Sequence, residues 1–305
     1  MPYWFIVTRS FRIAWDHKYL WLLAVFAGEG GGASFSYSQG YSGSGSRNGP
    51  PNFANTQHQV ASWLGQHAGL VVGVAVVWVL LVIALFVLAA ACEGALVRGS
   101  AEHDAERPFN LSWAWQSGLA TLGLIIRFRL LLIALALPAA IVTFVLVFGF
   151  VWAILNNAAA VALILGIVGF FVFLLVFVYV IYLSFLDRLG TRAAVLEQIG
   201  ARAAIVRGHR LLLARLGRVL LVWLLSIAVG FGVGIAAGVV AGIAGIPLIV
   251  GAIALFSGGS AAWWVLVAIG LVIEIPVVLV LGGFIGAQAS TYWTLAFRRL
   301  EIDQA

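Results

Sequence analysis

Two stretches of this chain, 130–186 and 219–273, run for 57 and 55 residues without one Asp, Glu, Lys or Arg. A helix rises about 1.5 Å per residue and the hydrocarbon layer of a bilayer is about 30 Å thick, so neither stretch fits a membrane as one straight helix. Each has to fold back once. Asn156-Asn157 in the first and Ser257-Gly258-Gly259-Ser260 in the second are short polar sequences suited to such turns. Two further uncharged runs, 68–92 and 275–297, are 25 and 23 residues long. Together they predict spans near 68–92, 130–155, 158–186, 219–245 and 262–286, with Pro247 leaving 248–256 as either a kinked continuation or a re-entrant piece. Barrel strands are excluded, because a spanning strand needs only about 10 residues and alternates in polarity, whereas these runs are apolar all round.

Composition carries the same message: 63% of residues are apolar and 9% charged, with a mean hydropathy of +1.10. A soluble domain is nearer about 25% charged, so this chain cannot clothe a water-facing surface. The expected fold is all-α, a polytopic transmembrane helix bundle of about six spans in three helix pairs, with interfacial amphipathic helices. The sixth span is the segment 19–27, which is short and crosses only if 3–13 contributes despite Arg9 and Arg12. A cleaved signal peptide is its rival, with Arg9, Arg12 and Lys18 as the charged region and Val25-Phe26-Ala27 as the cleavage sequence. The long stretch rich in Trp, Phe and Ile ahead of the apolar core favours an uncleaved helix. Residues 1–28 then form an N-terminal interfacial segment and first span, 29–66 a flexible Gly/Ser-rich extracytoplasmic loop, and 67–305 the transmembrane bundle with cytoplasmic amphipathic segments. The loop has too little aliphatic content for a core. Its Phe35, Tyr37, Tyr41 and Phe53 are open as partner contacts, and Val60, Trp63 and Leu64 suit an amphipathic turn returning to the bilayer.

Charge supplies the orientation. The net charge is +6, from 16 arginines and Lys18 spread between the apolar segments, so the acidic partner is the lipid headgroup layer and not nucleic acid. With six spans, one side receives Arg9, Arg12, Lys18, Arg98, Arg107, Arg127, Arg129, Arg188, Arg192, Arg202, Arg207, Arg210, Arg215, Arg218, Arg298 and Arg299, and the other only Arg47. By the positive-inside rule, both termini lie in the cytoplasm of a cell whose inner membrane holds the protein. Trp4, Trp21, Trp63, Trp113, Trp115, Trp152, Trp263, Trp264 and Trp293 fall near span ends, where an aromatic belt forms.

A weak threefold repeat is visible, each helix pair being entered by a partly amphipathic, Trp- or Arg-bearing segment and left through a charged one. Within 190–208, Leu196, Ile199, Ala203 and Val206 share one helical face, so that helix is expected along the inner surface or capping the bundle. Three motifs, WDHKYLWLLAVFAG from Trp15, TRAAVLEQIGARAAIVRGHRLLLARLGRVLLVWLL from Thr191 and TYWTLAFRRL from Thr291, resemble a group of uncharacterised bacterial polytopic proteins. These are similar to the membrane domain that accompanies some glycerophosphodiester phosphodiesterases. The resemblance implies no activity, because those relatives lack an assigned catalytic site in the membrane part and the catalytic barrel has no room here.

Few residues invite a chemical role. Gly230, Gly234, Gly238 and Gly242 recur at four-residue spacing, with Ala237, Ala241 and Gly245 beside them, which suits close helix packing within the monomer or between copies. Glu274 lies in the final span, just before Pro276, where a carboxylate costs about 3 kcal/mol unless it is protonated or paired. It reads either as a hydrogen-bonded structural acid, with Thr143 at comparable depth, or as a proton- or ion-coupling group. Arg202, Arg207, Arg210, Arg215 and Arg218 are candidate lipid headgroup contacts as well as topology determinants. His17, His58, His67, His103 and His209 are scattered without ligand spacing, Cys92 is the single cysteine, and no nucleotide loop or serine elbow occurs. The expectation is therefore no metal, no cofactor and no catalytic residues: a non-catalytic bundle binding lipid or protein partners, a homo-oligomer among them. Its alternatives are a small transporter or permease component using Glu274 and, third, an intramembrane enzyme.

Overall fold

In lipid, backbone N–H and C=O groups have no water to bond, so apolar segments of this length are stable only as helices. The computed structural model describes residues 3–28, 63, 67–258, 260 and 262–302, and among them the chain is helical with no strand. The helices are α1 (Trp4–Asp16), α2 (Tyr19–Ala27), α3 (Ala68–Asp104), α4 (Leu111–Leu155) and α5 (Ala159–Glu197), followed by α6 (Ala201–Ala214), α7 (Leu216–Ala244), α8 (Ile246–Phe256) and α9 (Trp263–Ile302). Five of these, α3, α4, α5, α7 and α9, are long and apolar enough to cross a membrane.

Burial divides the molecule into two zones. In α3, α4 and α5 the most apolar eighteen-residue window contains no buried residue, and Leu155, Leu175, Phe231 and Val272 all point outward. Lipid has to cover these side chains. The packed core lies instead at the charged ends of the same helices, in a layer built from α1, α2, 90–128, 185–222 and 287–300. Phe128, Leu189, Leu211, Tyr292 and Phe297 fill it. Glu93 of α3 is almost fully buried there, and Arg129 of α4 donates to its Oε2 from Nε at 2.9 Å and from Nη2 at 2.5 Å. Arg192 of α5, also buried, donates from Nη1 to the Arg188 carbonyl at 3.0 Å. α1 packs on the end of α9, with the Arg299 guanidinium 5.6 Å from the Phe5 ring centre, so both ends of the described chain lie in this one layer.

The structure sharpens three expectations. The segment 19–27 forms α2, but nine residues rise only about 13 Å, under half the hydrocarbon thickness, and Gly28 ends the helix at φ 72°. It is apolar because Leu20, Leu23, Ala24 and Ala27 are buried in protein, against α3 and α9, and among the described residues five helices have spanning length. The helix expected over 190–208 is broken: Gln198 adopts φ 53° and separates α5 from α6. The buried face of α6 is Ala204, Gly208, Leu211 and Leu212, while Ala203 and Val206 are exposed. Pro247 gives the kinked continuation, since the Gly245 N–H still reaches the Ala241 carbonyl at 2.8 Å and the Ile249 N–H reaches the Gly245 carbonyl at 3.0 Å. The Asn156-Asn157 turn is present, with Asn157 at φ 54°. The loop 29–66, apart from Trp63, lies outside the described residues, and so do Arg47 and His58.

Candidate functional sites at the boundary of the charged layer

Glycine shows where helices meet. A methyl group at Gly118 would strike the Ala91 carbonyl, and one at Gly270 would strike the Leu248 backbone. Gly251 lies against Val267 in the same α8–α9 hairpin, with only 2.9 Å between a Cβ there and Val267 Cγ2. The regular stripe does something else. Positions Gly230, Gly234, Gly238 and Gly242 have no described protein atom within 4 Å of where a Cβ would stand. Four-residue spacing marks a small-residue face but does not say whether another helix of the same chain covers it.

Two of those glycines line a cleft. Gly230 and Gly234 of α7 face Ile285, Gln288 and Tyr292 of α9 across a cavity of about 360 Å³, closed at the charged layer by Arg188, Trp223 and Trp293. The Arg188 guanidinium carbon sits 4.8 Å from the Trp293 ring centre. Tyr292 donates its hydroxyl to the Val222 carbonyl at 2.7 Å, tying α9 to α7 beneath the cleft, and Gln288 donates to Ser10 Oγ at 3.2 Å.

Glu274 points at the α7–α8 kink. A Cβ at Gly245 would stand 3.2 Å from Glu274 Oε2, and that buried oxygen has no hydrogen-bond partner. Thr143 donates to the Ala139 carbonyl of its own helix and lines a separate groove between α4 and α5. The arginine group is dispersed: Arg207 is engaged by Glu197 at 3.2 Å and Glu301 at 3.0 Å, while Arg202, Arg210 and Arg218 are exposed around α6 and the start of α7.

Two histidines that look unrelated in sequence are brought together. His17, at the α1–α2 junction, stacks on His103 of α3 with ring centres 3.5 Å apart, and the Tyr19 hydroxyl lies 2.6 Å from His103 Nε2. Burial lowers the His17 pKa from the ordinary 6.5, against the opposing pull of Asp16. The pair lines a polar cavity of about 640 Å³ with Arg9, Arg12 and Glu106. A mainly apolar cavity of about 680 Å³, lined by Leu22, Phe26, Leu88 and Trp115, shares Asn110 with it. Asn110 caps α4, accepting from the Trp113 N–H at 3.0 Å. No group of three metal-ligating side chains occurs among the described residues.

Residues 7–295 match the model of a family described as a family of unknown function (DUF7544). The chain belongs to that family. No curated protein and no solved structure matches it. The DUF7544 match runs from within α1 to Leu295 in α9, so it contains most of the charged layer, the α7–α9 cleft, the histidine pair and Glu274. It provides no link to the glycerophosphodiester phosphodiesterase membrane domain, a resemblance that rests on the motifs alone.

Proposed function

We propose that this DUF7544 protein is a non-catalytic integral protein of the bacterial inner membrane, with its charged layer cytoplasmic, that binds phospholipid at the boundary between that layer and its spans. The observation that carries this reading is the placement of the cavities. The α7–α9 cleft and the paired cavities at α1, α2 and α4 all lie where the charged, packed layer gives way to lipid-facing helices. A headgroup and an acyl chain need that change of environment within one molecule's length. The sixteen-to-one partition of basic residues supports a cytoplasmic charged layer. The motif resemblance to the phosphodiesterase-associated membrane domain supports a membrane role without an activity.

The test is lipid retention. Protein exchanged extensively into mild detergent is expected to keep phospholipid at a fixed ratio to protein, measured by native mass spectrometry. Protein that emerges lipid-free contradicts the reading.

A second reading rests on Glu274, whose unpartnered buried oxygen faces the α7–α8 kink. In it the carboxyl carries a proton or cation through the membrane. Liposomes bearing the protein and a trapped pH indicator would then show flux that Glu274→Gln abolishes. Equal traces from both proteins remove this reading.

A further inference from the structure

We infer that the paired cavities at α1, α2 and α4 hold one phospholipid whose headgroup carries an ammonium as well as a phosphate, with Arg12 meeting the phosphate and Asp16 the ammonium. The assignment deepens the lipid-binding reading above and rests on it. Its first support is the charge left over in the polar cavity. Five charged side chains line that cavity, and three of them are already engaged: Arg9 reaches Glu106 at 3.0 Å, and Arg107 reaches Glu102 at 3.3 Å. The other two, Arg12 and Asp16, are exposed, and their side chains make no ion pair or hydrogen bond among the described residues. They stand one turn apart on α1, a spacing at which helical side chains are neighbours. A cation and an anion so placed complement a zwitterion, and a guanidinium suits phosphate in particular.

The second support is the order of polar and apolar lining along α3. His103 lines the polar cavity, and Cys92 and Leu88, closer to the span, line the apolar one. From His103 the helix rises about 17 Å to Cys92 and about 23 Å to Leu88. One leaflet of a bilayer, headgroups included, is about 20 Å thick. A single phospholipid therefore has the length to occupy both cavities, and a soluble phosphate does not. Leu22, Phe26 and Leu111 line the apolar cavity and are exposed, so an acyl chain there covers side chains that the protein leaves open.

The third support is Asn110, which lines both cavities. Its Oδ1 is taken up in capping α4, while its amide N–H groups have no protein partner among the described residues. A lipid spanning the two cavities brings its glycerol esters to this junction, and ester oxygens only accept hydrogen bonds. Trp113 beside the polar cavity and Trp115 beside the apolar one are residues of the kind found at headgroup level.

The experiment uses the full chain in mild non-ionic detergent. Native mass spectrometry reads bound lipid after titration with phosphatidylethanolamine and, separately, with phosphatidylglycerol, whose headgroup lacks the ammonium. The parent should bind phosphatidylethanolamine about fivefold more tightly, the factor for one charge pair at a partly solvated site. Asp16→Asn should abolish that preference by weakening only the ethanolamine lipid, and Arg12→Gln should weaken both lipids by about the same factor. Arg127→Gln, which removes an exposed cation of α4 outside both cavities, should bind as the parent does. All four proteins should share one thermal midpoint, because the substituted side chains are exposed. Suppose the parent retains phospholipid but shows no preference, Asp16→Asn keeps the preference, or Arg12→Gln binds no more weakly than Arg127→Gln: any of these removes this assignment while the general lipid-binding reading stands. If the parent binds neither lipid, both fall. Phosphoethanolamine bound as tightly as the lipid would overturn the two-cavity assignment in favour of a soluble zwitterion.

Discussion

Gly118 and Gly238 are both helical glycines in apolar surroundings, yet they sit in opposite worlds. Gly118 of α4, in the charged layer, lies against the Ala91 carbonyl of α3, and Gly238 of α7, in the uncharged zone, meets nothing within 4 Å. The contrast holds for the zones as a whole. The layer that carries almost all the charge is packed tightly, with glycines and alanines letting backbones touch and with Glu93, Arg192 and Thr294 buried inside it. The uncharged helices mostly touch lipid. In a bilayer, apolar side chains gain little by leaving lipid for each other, whereas polar and charged ends gain from packing together out of the hydrocarbon. The α8–α9 hairpin is the instructive exception, since Gly251 and Gly270 permit close approach there as well.

Substitutions should separate the zones by size of effect. The largest is expected from Arg129→Met, which removes the guanidinium held against buried Glu93 and should cost about 3 kcal/mol or more in denaturant midpoint measurements. A midpoint within experimental error of the parent would mean that the pair does not hold α3 to α4. Gly118→Val comes next, at about 2–3 kcal/mol, because its side chain meets backbone that cannot yield. A stable Gly118→Val protein would dissolve the claim that the layer is the tighter zone.

The pH effect is smaller and confined to the layer. His17 has a folded pKa below the ordinary 6.5, because burial disfavours its charged form. Below pH about 6.5 the unfolded chain therefore binds more protons than the folded one, and stability falls as the pH drops from there through the lowered folded value. Asp16, Tyr19 and His103 are the titratable groups around it. Thermal midpoints of His17→Phe should lose part of this acid sensitivity; an unchanged pH profile would show that the stacked pair does not contribute.

Smallest of all is Gly238→Leu, expected to leave the monomer's stability within about 0.5 kcal/mol of the parent, as for a surface change. Light scattering supplies the sharper readout. A change in oligomer size at unchanged stability would assign Gly238 and Gly242 to contact with a second copy.

The uncharged runs made the five spanning helices and the Asn156-Asn157 hairpin legible, because charge is expensive in lipid and its absence has to be long to cross. The segment 19–27 is harder to read for a related reason. Burial in protein and burial in lipid leave the same apolar composition, and only the nine-residue length of α2, closed by Gly28, separates them. The face of α6 is displaced because the helix breaks over 198–200, with Gln198 in the left-handed region and Gly200 capping α6. Of the candidate site residues, Glu274 has Gly245 as its neighbour, whereas Thr143 bonds within its own helix. The His17–His103 stack, the Glu93–Arg129 pair and the Arg188–Trp293 contact join residues far apart in the chain, and nothing local announces them. A surplus of helical glycine was visible, but which glycines touch protein was not.

The central claim is that one charged, packed layer lies on the cytoplasmic side and the uncharged helices cross away from it. In a Cys92→Ala background, Leu155→Cys and Phe256→Cys stand at the far ends of α4 and α8, and Arg12→Cys and Arg202→Cys stand in the layer. With a membrane-impermeant maleimide applied to cells whose outer envelope has been opened and whose inner membrane is intact, Leu155→Cys and Phe256→Cys should label at once. Arg12→Cys and Arg202→Cys should label only after the inner membrane is permeabilised. Labelling of all four from the same side, or of the layer positions first, would contradict the account.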